Sequence, residues 1–144
     1  MSNLSIAAVF ALLNIVGAPS AQAADKQLGK IFIKAATSEV NGQQFPDAEL
    51  EATVKDMKKR PGKFILADNE SGADFLLVVV ERKAVAISGQ PASKALVATL
   101  SIRDGNAWKP ATKLQSRAKD VIWSVAAEHV IGQAEDWVKA NAGK

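Results

Sequence analysis

The spacing of apolar and polar residues in the first half of the chain predicts a strand, a helix and a second strand. Residues 30–36 are rich in β-branched and aromatic side chains, which is typical of a strand. Residues 41–44 have the composition of a turn. A helical pattern opens at Pro46-Asp47, places apolar residues at i, i+4 and i+7, and ends at Pro61-Gly62. The short apolar run at 63–67 then indicates another strand.

The second half of the chain predicts three further extended segments. Residues 74–87 begin as an apolar run without alternation, as expected for a strand that is covered on both faces. A turn at 88–91 leads to residues 94–103, in which apolar and polar positions alternate. Asp104-Gly105 is typical of a hairpin turn of type I′, because both central residues of such a turn need positive φ angles, which Asp and Gly tolerate. The polar segment 106–117 contains a proline, so we expect an edge strand or an extended loop there.

The last predicted element is a helix that begins with Asp120 as its N-cap and ends near Asn141. Apolar residues recur along it at three- and four-residue spacing: Ala127, Val130, Ile131, Ala134, Trp137 and Val138. A helix between the first two strands favours a right-handed crossover and a parallel pair. We therefore expect an α+β fold, a mixed sheet of four to five strands with two helices on one face, in the order β-α-β-β-β-(β)-α.

The N-terminal residues have the pattern of an export signal. Residues 4–18 are mostly apolar, and no charged residue precedes Asp25. This run is shorter than the roughly 20 apolar residues that span a bilayer. The triplet 21–23 (Ala-Gln-Ala) matches the small-x-small pattern cleaved by signal peptidase, although the first three residues carry no positive charge. We expect a signal peptide at 1–23 and one domain at 24–144, in preference to a buried N-terminal helix or a retained membrane anchor.

Composition restricts the chemistry that the protein can perform. The chain has 144 residues, 48% hydrophobic and 23% charged, which suits one packed domain. The absence of cysteine excludes disulfides, thiol nucleophiles, iron–sulfur clusters, thiolate zinc sites and an N-terminal lipid anchor. A single histidine excludes a histidine-rich metal site. We predict no metal site and no cofactor.

No catalytic motif emerges from the residue types and their spacing. Ser124 lies five residues before His129, so on one helix the two side chains point in different directions and cannot pair. An EF-hand loop that began at Asp68 would need glycine sixth and glutamate twelfth, but Ala73 and Val79 occupy those positions. Phosphate-binding glycine motifs are absent. A carboxylate pair of the glycosidase type stays open, since any two of the 15 acidic residues can meet in space.

Basic residues and one tryptophan are the candidate binding residues. The net charge is +3, with 18 Lys and Arg against 15 Asp and Glu. Five cations lie at the end of the first helix, where a helix C-terminus favours them and where they could also meet an anionic partner: Lys55, Lys58, Lys59, Arg60 and Lys63. The second candidate set surrounds the predicted hairpin and includes a tryptophan that either covers the sheet or anchors a partner: Trp108, Lys109, Lys113 and Arg117.

The order of elements resembles small extracytoplasmic α/β modules of Gram-negative bacteria. These modules include the N-terminal domain of the Tol–Pal β-propeller protein, the outer-membrane activator of penicillin-binding proteins and related domains of unknown function. The short segments that match are 72–78 (Gly-Ala-Asp-Phe-Leu-Leu-Val) and 102–105 (Ile-Arg-Asp-Gly), before a C-terminal helix. The chain departs from many of them because it lacks the lipoprotein cysteine. The resemblance implies docking on a protein partner and transfers no functional residues.

These observations predict an exported, periplasmic or secreted binding module. We expect a non-enzymatic protein that serves a cell-envelope component, either an envelope protein or an anionic envelope component. Nucleic acid is disfavoured as a partner, because the basic segments lack interleaved aromatic residues. We expect no transmembrane segment after signal cleavage. The alternative is a hydrolase of an envelope polymer that uses a carboxylate pair.

Overall fold

The computed structural model describes residues 27–117 and 119–141. The expected signal peptide and its cleavage point at Ala23 lie outside these residues. The described elements form an α+β fold, in which helices are labelled α and strands β in chain order: β1 (Gly29–Ala35), β2 (Thr37–Val40), β3 (Gln43–Pro46), α1 (Ala48–Lys59), β4 (Phe64–Leu66), β5 (Phe75–Ile87), β6 (Gln90–Asp104), β7 (Ala107–Gln115) and α2 (Trp123–Asn141). A single 3₁₀ turn, Glu70–Gly72, lies between β4 and β5.

Five strands form one mixed sheet in the order β4-β1-β5-β6-β7, and β2 pairs with β3 in a separate two-stranded sheet. β1 runs parallel to both β4 and β5, whereas β5–β6 and β6–β7 are antiparallel. The parallel β1–β4 pair confirms the parallel pairing predicted from the intervening helix. β7 lies at the edge of the sheet, as its proline and polar composition predicted.

Both helices cover the same face of the five-stranded sheet, as predicted. α1 packs on β1 and β5, α2 packs on β6 and β7, and the two helices also contact each other. The core between the two layers is made of buried aliphatic residues from every major element: Ile31, Ile33, Val54, Met57, Leu77, Val79, Leu96, Ala98, Leu100, Leu114, Val130 and Ile131. We call this side of the sheet the helix face and the other side the open face.

Local capping explains the bounds of α1. The Asp47 carboxylate accepts hydrogen bonds from the N–H groups of Glu49 and Leu50, which places Asp47 at the N-cap. Pro46 belongs to β3 and not to the helix, so the helix begins at Ala48. Arg60 caps the other end, just before the Pro61-Gly62 pair.

The structure differs from the prediction for α2. The helix begins at Trp123 and not just after Asp120, because the C=O of Ile122 accepts the first helical hydrogen bond, from Ala126. Asp120 is 3% exposed and does not cap the helix. Its carboxylate accepts a hydrogen bond from the Arg117 N–H and contacts His129, so its role lies in the connection that precedes α2.

The turns and hairpins also contain features that the pattern did not predict. Residues 37–46 form the β2–β3 hairpin, whose Asn41-Gly42 turn has φ angles of +54° and +79°, as a type I′ turn requires. The turn between β6 and β7 is centred on Gly105-Asn106 and not on Asp104-Gly105, because Asp104 pairs with Ala107. Gly105 alone has positive φ in that turn, the pattern of type II′.

Candidate binding surface

A β-bulge decides which face of the sheet each candidate residue on β7 occupies. Leu100 pairs with Thr112 and Ser101 pairs with Pro110, so Ala111 is an extra residue in β7. Trp108 and Lys113 therefore both lie on the open face, although they are five residues apart. Lys109 pairs with Ile102 and lies on the helix face near the end of the strand.

Trp108 is partly buried and makes specific contacts with two other residues. Its Nε1–H donates a 3.0 Å hydrogen bond to Glu70 Oε2. The Arg103 guanidinium lies over the indole ring, 4.2 Å from the ring centroid. Trp108 thus covers part of the open face and fixes Glu70, and the structure gives it a packing role in addition to any contact with a partner.

Arg103 binds the connection between β4 and β5. This connection, residues 67–74, passes over the open face of β1, because β4 and β5 flank β1 on either side. Arg103 donates hydrogen bonds to the C=O groups of Glu70, Ser71 and Ala73 at 2.7–3.1 Å. A guanidinium has several donors in a rigid fork, so one side chain can hold three carbonyls. We call this connection, together with Arg103 and Trp108, the crossover clamp.

Glu70 is the charged centre of the crossover clamp. Lys34, from β1, forms a 2.9 Å ion pair with Glu70 Oε1, while Trp108 donates to Oε2. The hydrogen bond and charge of Lys34, helped by Trp108 and Arg103, hold the pKa of Glu70 below its ordinary value against the opposing effect of partial burial. A lowered pKa keeps the carboxylate ionised, the opposite of what a general acid requires.

The cations on β7 and just beyond it are exposed and without ion pairs to the described residues. Lys109, Lys113 and Arg117 all lie at the surface. The ion pairs within residues 27–117 and 119–141 involve other cations, namely Lys34, Arg60 and Lys83. Two of these exposed positive charges thus lie on the edge strand β7, and the third lies two residues beyond its end.

The second predicted patch, at the end of α1, is partly neutralised. Lys55, Lys58 and Lys59 share one exposed side of the helix. Arg60, however, forms an ion pair with Glu128 of α2. The backbone N–H of Lys63 donates to the carboxylate of Glu135, which brings a second acidic side chain from α2 to this end of α1.

The single histidine is held by a buried carboxylate. His129 Nδ1 lies 2.7 Å from Asp120 Oδ1 and 2.8 Å from Oδ2. This contact orients the ring, and the partly exposed side chain lines a shallow groove together with Val121, Ile122 and Val125. In the described part of the chain, no hydrogen bond joins Ser124 to His129.

Sequence reasoning missed Glu70 and Arg103 as functional neighbours of Trp108. The sequence draws attention to Arg103 only within the 102–105 segment, and to Glu70 only within the twelve residues from Asp68 that fail as an EF-hand loop. Glu70 and Trp108 are 38 positions apart in the chain. They meet because residues 67–74 cross over β1. No local spacing signals a contact of that range.

Among residues 27–117 and 119–141, no three His, Cys, Asp or Glu side chains lie close enough together to hold a metal ion. No helix within these ranges is long and apolar enough to cross a membrane.

The sequence matches no protein-family model, and no curated protein has a similar sequence. Among solved structures, a hypothetical protein from Chlamydia trachomatis is distantly similar, with a TM-score of 0.48 and 11% identity. The similar region covers 78% of this chain and 99% of the Chlamydia protein. The resemblance to the Gram-negative extracytoplasmic modules stays a prediction.

Proposed function

We propose that the protein is an exported binding module of the cell envelope that recognises an acidic partner through the β7 edge of its sheet. The observation that carries the proposal is the set of exposed cations on β7 and just beyond it, Lys109, Lys113 and Arg117, which have no ion pairs with the described residues. Exposed positive charge without internal partners attracts and orients an anionic ligand. The export pattern of residues 4–23 supports an envelope location.

The placement of these cations favours a protein segment over a flat lipid surface. Lys113 lies on the open face and Lys109 on the helix face, so the charges flank the edge on both sides. A planar membrane contacts one side of such an edge, whereas an acidic loop or strand lying beside the edge reaches both. Pro110 lacks an N–H and lies next to the bulge, which disfavours backbone pairing and leaves recognition to side chains.

Trp108 belongs to this surface but should be kept in the first test. Because Trp108 holds Glu70 and stacks with Arg103, its removal would loosen the crossover clamp and confuse a binding defect with a folding defect. The informative variant is therefore the triple change Lys109→Glu, Lys113→Glu and Arg117→Glu. The matched control is Lys55→Glu, Lys58→Glu and Lys59→Glu, which changes the net charge by the same amount on α1.

Binding would be measured by fluorescence anisotropy with a labelled glutamate-rich peptide, and by sedimentation with phosphatidylglycerol vesicles. We expect peptide binding that weakens as salt rises, a loss of at least about tenfold in the β7 variant, and a smaller loss in the α1 variant. Equal losses in both variants would show that net charge alone matters. Stronger binding to vesicles than to the peptide would contradict the choice of a protein partner.

The export part of the proposal has its own test. The intact mass of the protein recovered from a periplasmic extract of its host should correspond to residues 24–144. An uncleaved protein recovered from the cytoplasm would contradict the envelope assignment and would make nucleic acid the next anionic ligand to test.

A further inference from the structure

The second half of β5 forms a free sheet edge in the described part of the chain. Pairing between β1 and β5 ends at Ala35 and Val79, where the Ala36 N–H donates to the Val79 C=O at 2.9 Å. β5 continues to Ile87, paired on its other side with β6. Within residues 27–117 and 119–141, no strand pairs with β5 on the β1 side beyond Val79. We call residues 80–86 the β5 edge.

The backbone of the β5 edge points its hydrogen-bonding groups outward. On β6, the N–H groups of Lys94 and Leu96 donate to Asp120 and Ser116, on the side away from β5. Their partners on β5 are Ala84 and Arg82. In an antiparallel pair, two directly opposite residues either bond to each other through their backbones or both point their N–H and C=O groups away from each other. Lys94–Ala84 and Leu96–Arg82 are pairs of the second kind. Arg82 and Ala84 therefore present their N–H and C=O groups to the free side.

The side chains of the β5 edge are exposed and partly apolar. Val80 is 42% exposed and Val85 is 39% exposed. Glu81 and Lys83 lie at the surface on the open face, with their charged groups 3.7 Å apart. Unpaired backbone groups beside exposed valines are a template for another strand, which native proteins cover or block. No proline interrupts residues 80–86.

The charge pattern of the β5 edge is complementary to itself. If two copies pair antiparallel about Arg82, Glu81 of each copy lies opposite Lys83 of the other, so two opposite-charge pairs form. Arg82 then occupies the central hydrogen-bonded pair, which its outward backbone groups allow. The two Arg82 side chains do not repel each other, because each guanidinium contacts the helices of its own copy. Pairing about Lys83 would place like charges together, and pairing about Ala84 would place Lys83 opposite Val85.

We propose that the protein forms a twofold-symmetric dimer in which the β5 edges of two copies pair antiparallel about Arg82. The occupant of the free edge is thus a second copy of this chain. Such an isologous interface repeats every contact twice, which is the arrangement of most homodimers. The dimer leaves the β7 edge of each copy open, because β7 lies at the edge of the sheet beyond β6.

Charge reversal and charge exchange at two positions provide the test. Glu81→Lys and Lys83→Glu each convert both cross-strand pairs into like-charge pairs, so each single variant should weaken dimerisation about tenfold or more. The double variant with both changes exchanges the charges, restores opposite signs across the interface and should restore dimerisation. Sedimentation equilibrium of the purified protein over a range of concentrations gives the dimer dissociation constant directly.

Two controls keep the result interpretable. Lys139→Glu, on the exposed surface of α2, changes net charge as much as Lys83→Glu and should leave dimerisation unchanged. Circular dichroism and thermal melting should show that every variant keeps its fold. A wild-type protein that stays monomeric would overturn the proposal and leave the edge for a different protein's strand. Dimerisation that survives the single reversals, or that the double variant does not restore, would equally overturn it.

Discussion

The guanidinium of Arg82 lies over the ring of Trp123, with its central carbon 4.0 Å from the ring centroid. The same guanidinium donates 3.1 Å hydrogen bonds to the C=O of Glu49 and to the hydroxyl of Thr53. One side chain from β5 thus connects α1 with the beginning of α2. Thr53 is 1% exposed, so Arg82 also satisfies a buried hydroxyl.

Replacement of Arg82 by alanine should therefore destabilise the fold. The change leaves the Thr53 hydroxyl without this partner and removes the stacked cation, and we expect the free energy of unfolding to fall by about 1–3 kcal/mol. Arg82→Lys should recover only part of this loss, because an ammonium cannot stack flat and reach two acceptors at once. Urea denaturation of both variants measures the difference.

Lys94 provides the control for Arg82. Its ammonium lies 5.4 Å from the centroid of the same Trp123 ring and is partly exposed. Lys94→Ala should cost about 0.5 kcal/mol or less. If the Lys94 and Arg82 variants lost equal stability, the hydrogen bonds from Arg82 to α1 would add nothing to stability.

Glu70 should make stability depend on pH in the acidic range. Its pKa is lowered in the folded protein, so the folded state favours the ionised carboxylate. The resulting stabilisation is present above the ordinary pKa of glutamate and is lost as pH falls through the lower pKa of the folded state. Because the side chain is partly exposed, we expect a modest effect.

The measurement compares Glu70→Gln with Glu51→Gln, which lies on the exposed side of α1. Urea unfolding of each variant would be followed at around pH 7 and about pH 3. Glu70→Gln should be less stable than the wild type at the higher pH and nearly equal to it at the lower one. An unchanged difference at both values would show that the Lys34 and Trp108 contacts do not favour the charged form.

Gly62 should not tolerate alanine. Its φ angle is +65°, and a Cβ atom at this position would collide with the Glu135 carboxylate. That carboxylate accepts the Lys63 N–H, so its displacement by the added methyl group should weaken this hydrogen bond. Gly89 has a similar φ of +77° but open space around its Cβ position.

Comparison of the two alanine variants separates backbone strain from the contact with Glu135. Gly89→Ala should cost about 1–2 kcal/mol from strain alone, and Gly62→Ala about 1 kcal/mol more for the displaced carboxylate. Thermal melting curves of both variants measure this. Equal shifts would mean that Glu135 relaxes freely and contributes nothing to the end of α1.

Two bulges explain where the sequence pattern stopped being informative. The order of the two helices and the five strands of the main sheet, the parallel β1–β4 pair and the shared helix face followed from local composition and periodicity. An extra residue at Val80, however, turns Arg82 to the helix face, three residues after the inward-facing Val79. The extra residue at Ala111 likewise places Trp108 and Lys113 on one face. A period of two cannot reveal such shifts, because a bulge reverses the alternation without a distinctive residue type.

The candidate surface shows the same limit at long range. Composition selected Trp108 and the cations of β7, and the structure brings them to one sheet edge. The contacts that fix Trp108 come from Glu70 and Arg103, which only the crossover between β4 and β5 brings near it. The β2–β3 hairpin was missed because its strands are short, polar and exposed, although its Asn41-Gly42 turn was visible.

Asp120 offers a test of how the connection before α2 is held. The side chain is 3% exposed and accepts from the Arg117 N–H while contacting His129, and its C=O accepts from the Lys94 N–H. Asp120→Ala should lower the free energy of unfolding by about 1–3 kcal/mol, since it leaves the Arg117 N–H and the histidine without their acceptor. Asp120→Asn keeps one acceptor oxygen and should lose less. Asp136→Ala, at an exposed position on α2, serves as the control and should change stability by about 0.5 kcal/mol or less.

Because Arg117 is one of the three cations proposed to bind the partner, Asp120→Ala should also weaken binding of the glutamate-rich peptide, while Asp136→Ala should not. If a destabilised Asp120→Ala protein bound the peptide as tightly as the wild type, the hydrogen bond between the Arg117 N–H and Asp120 would not be needed for binding.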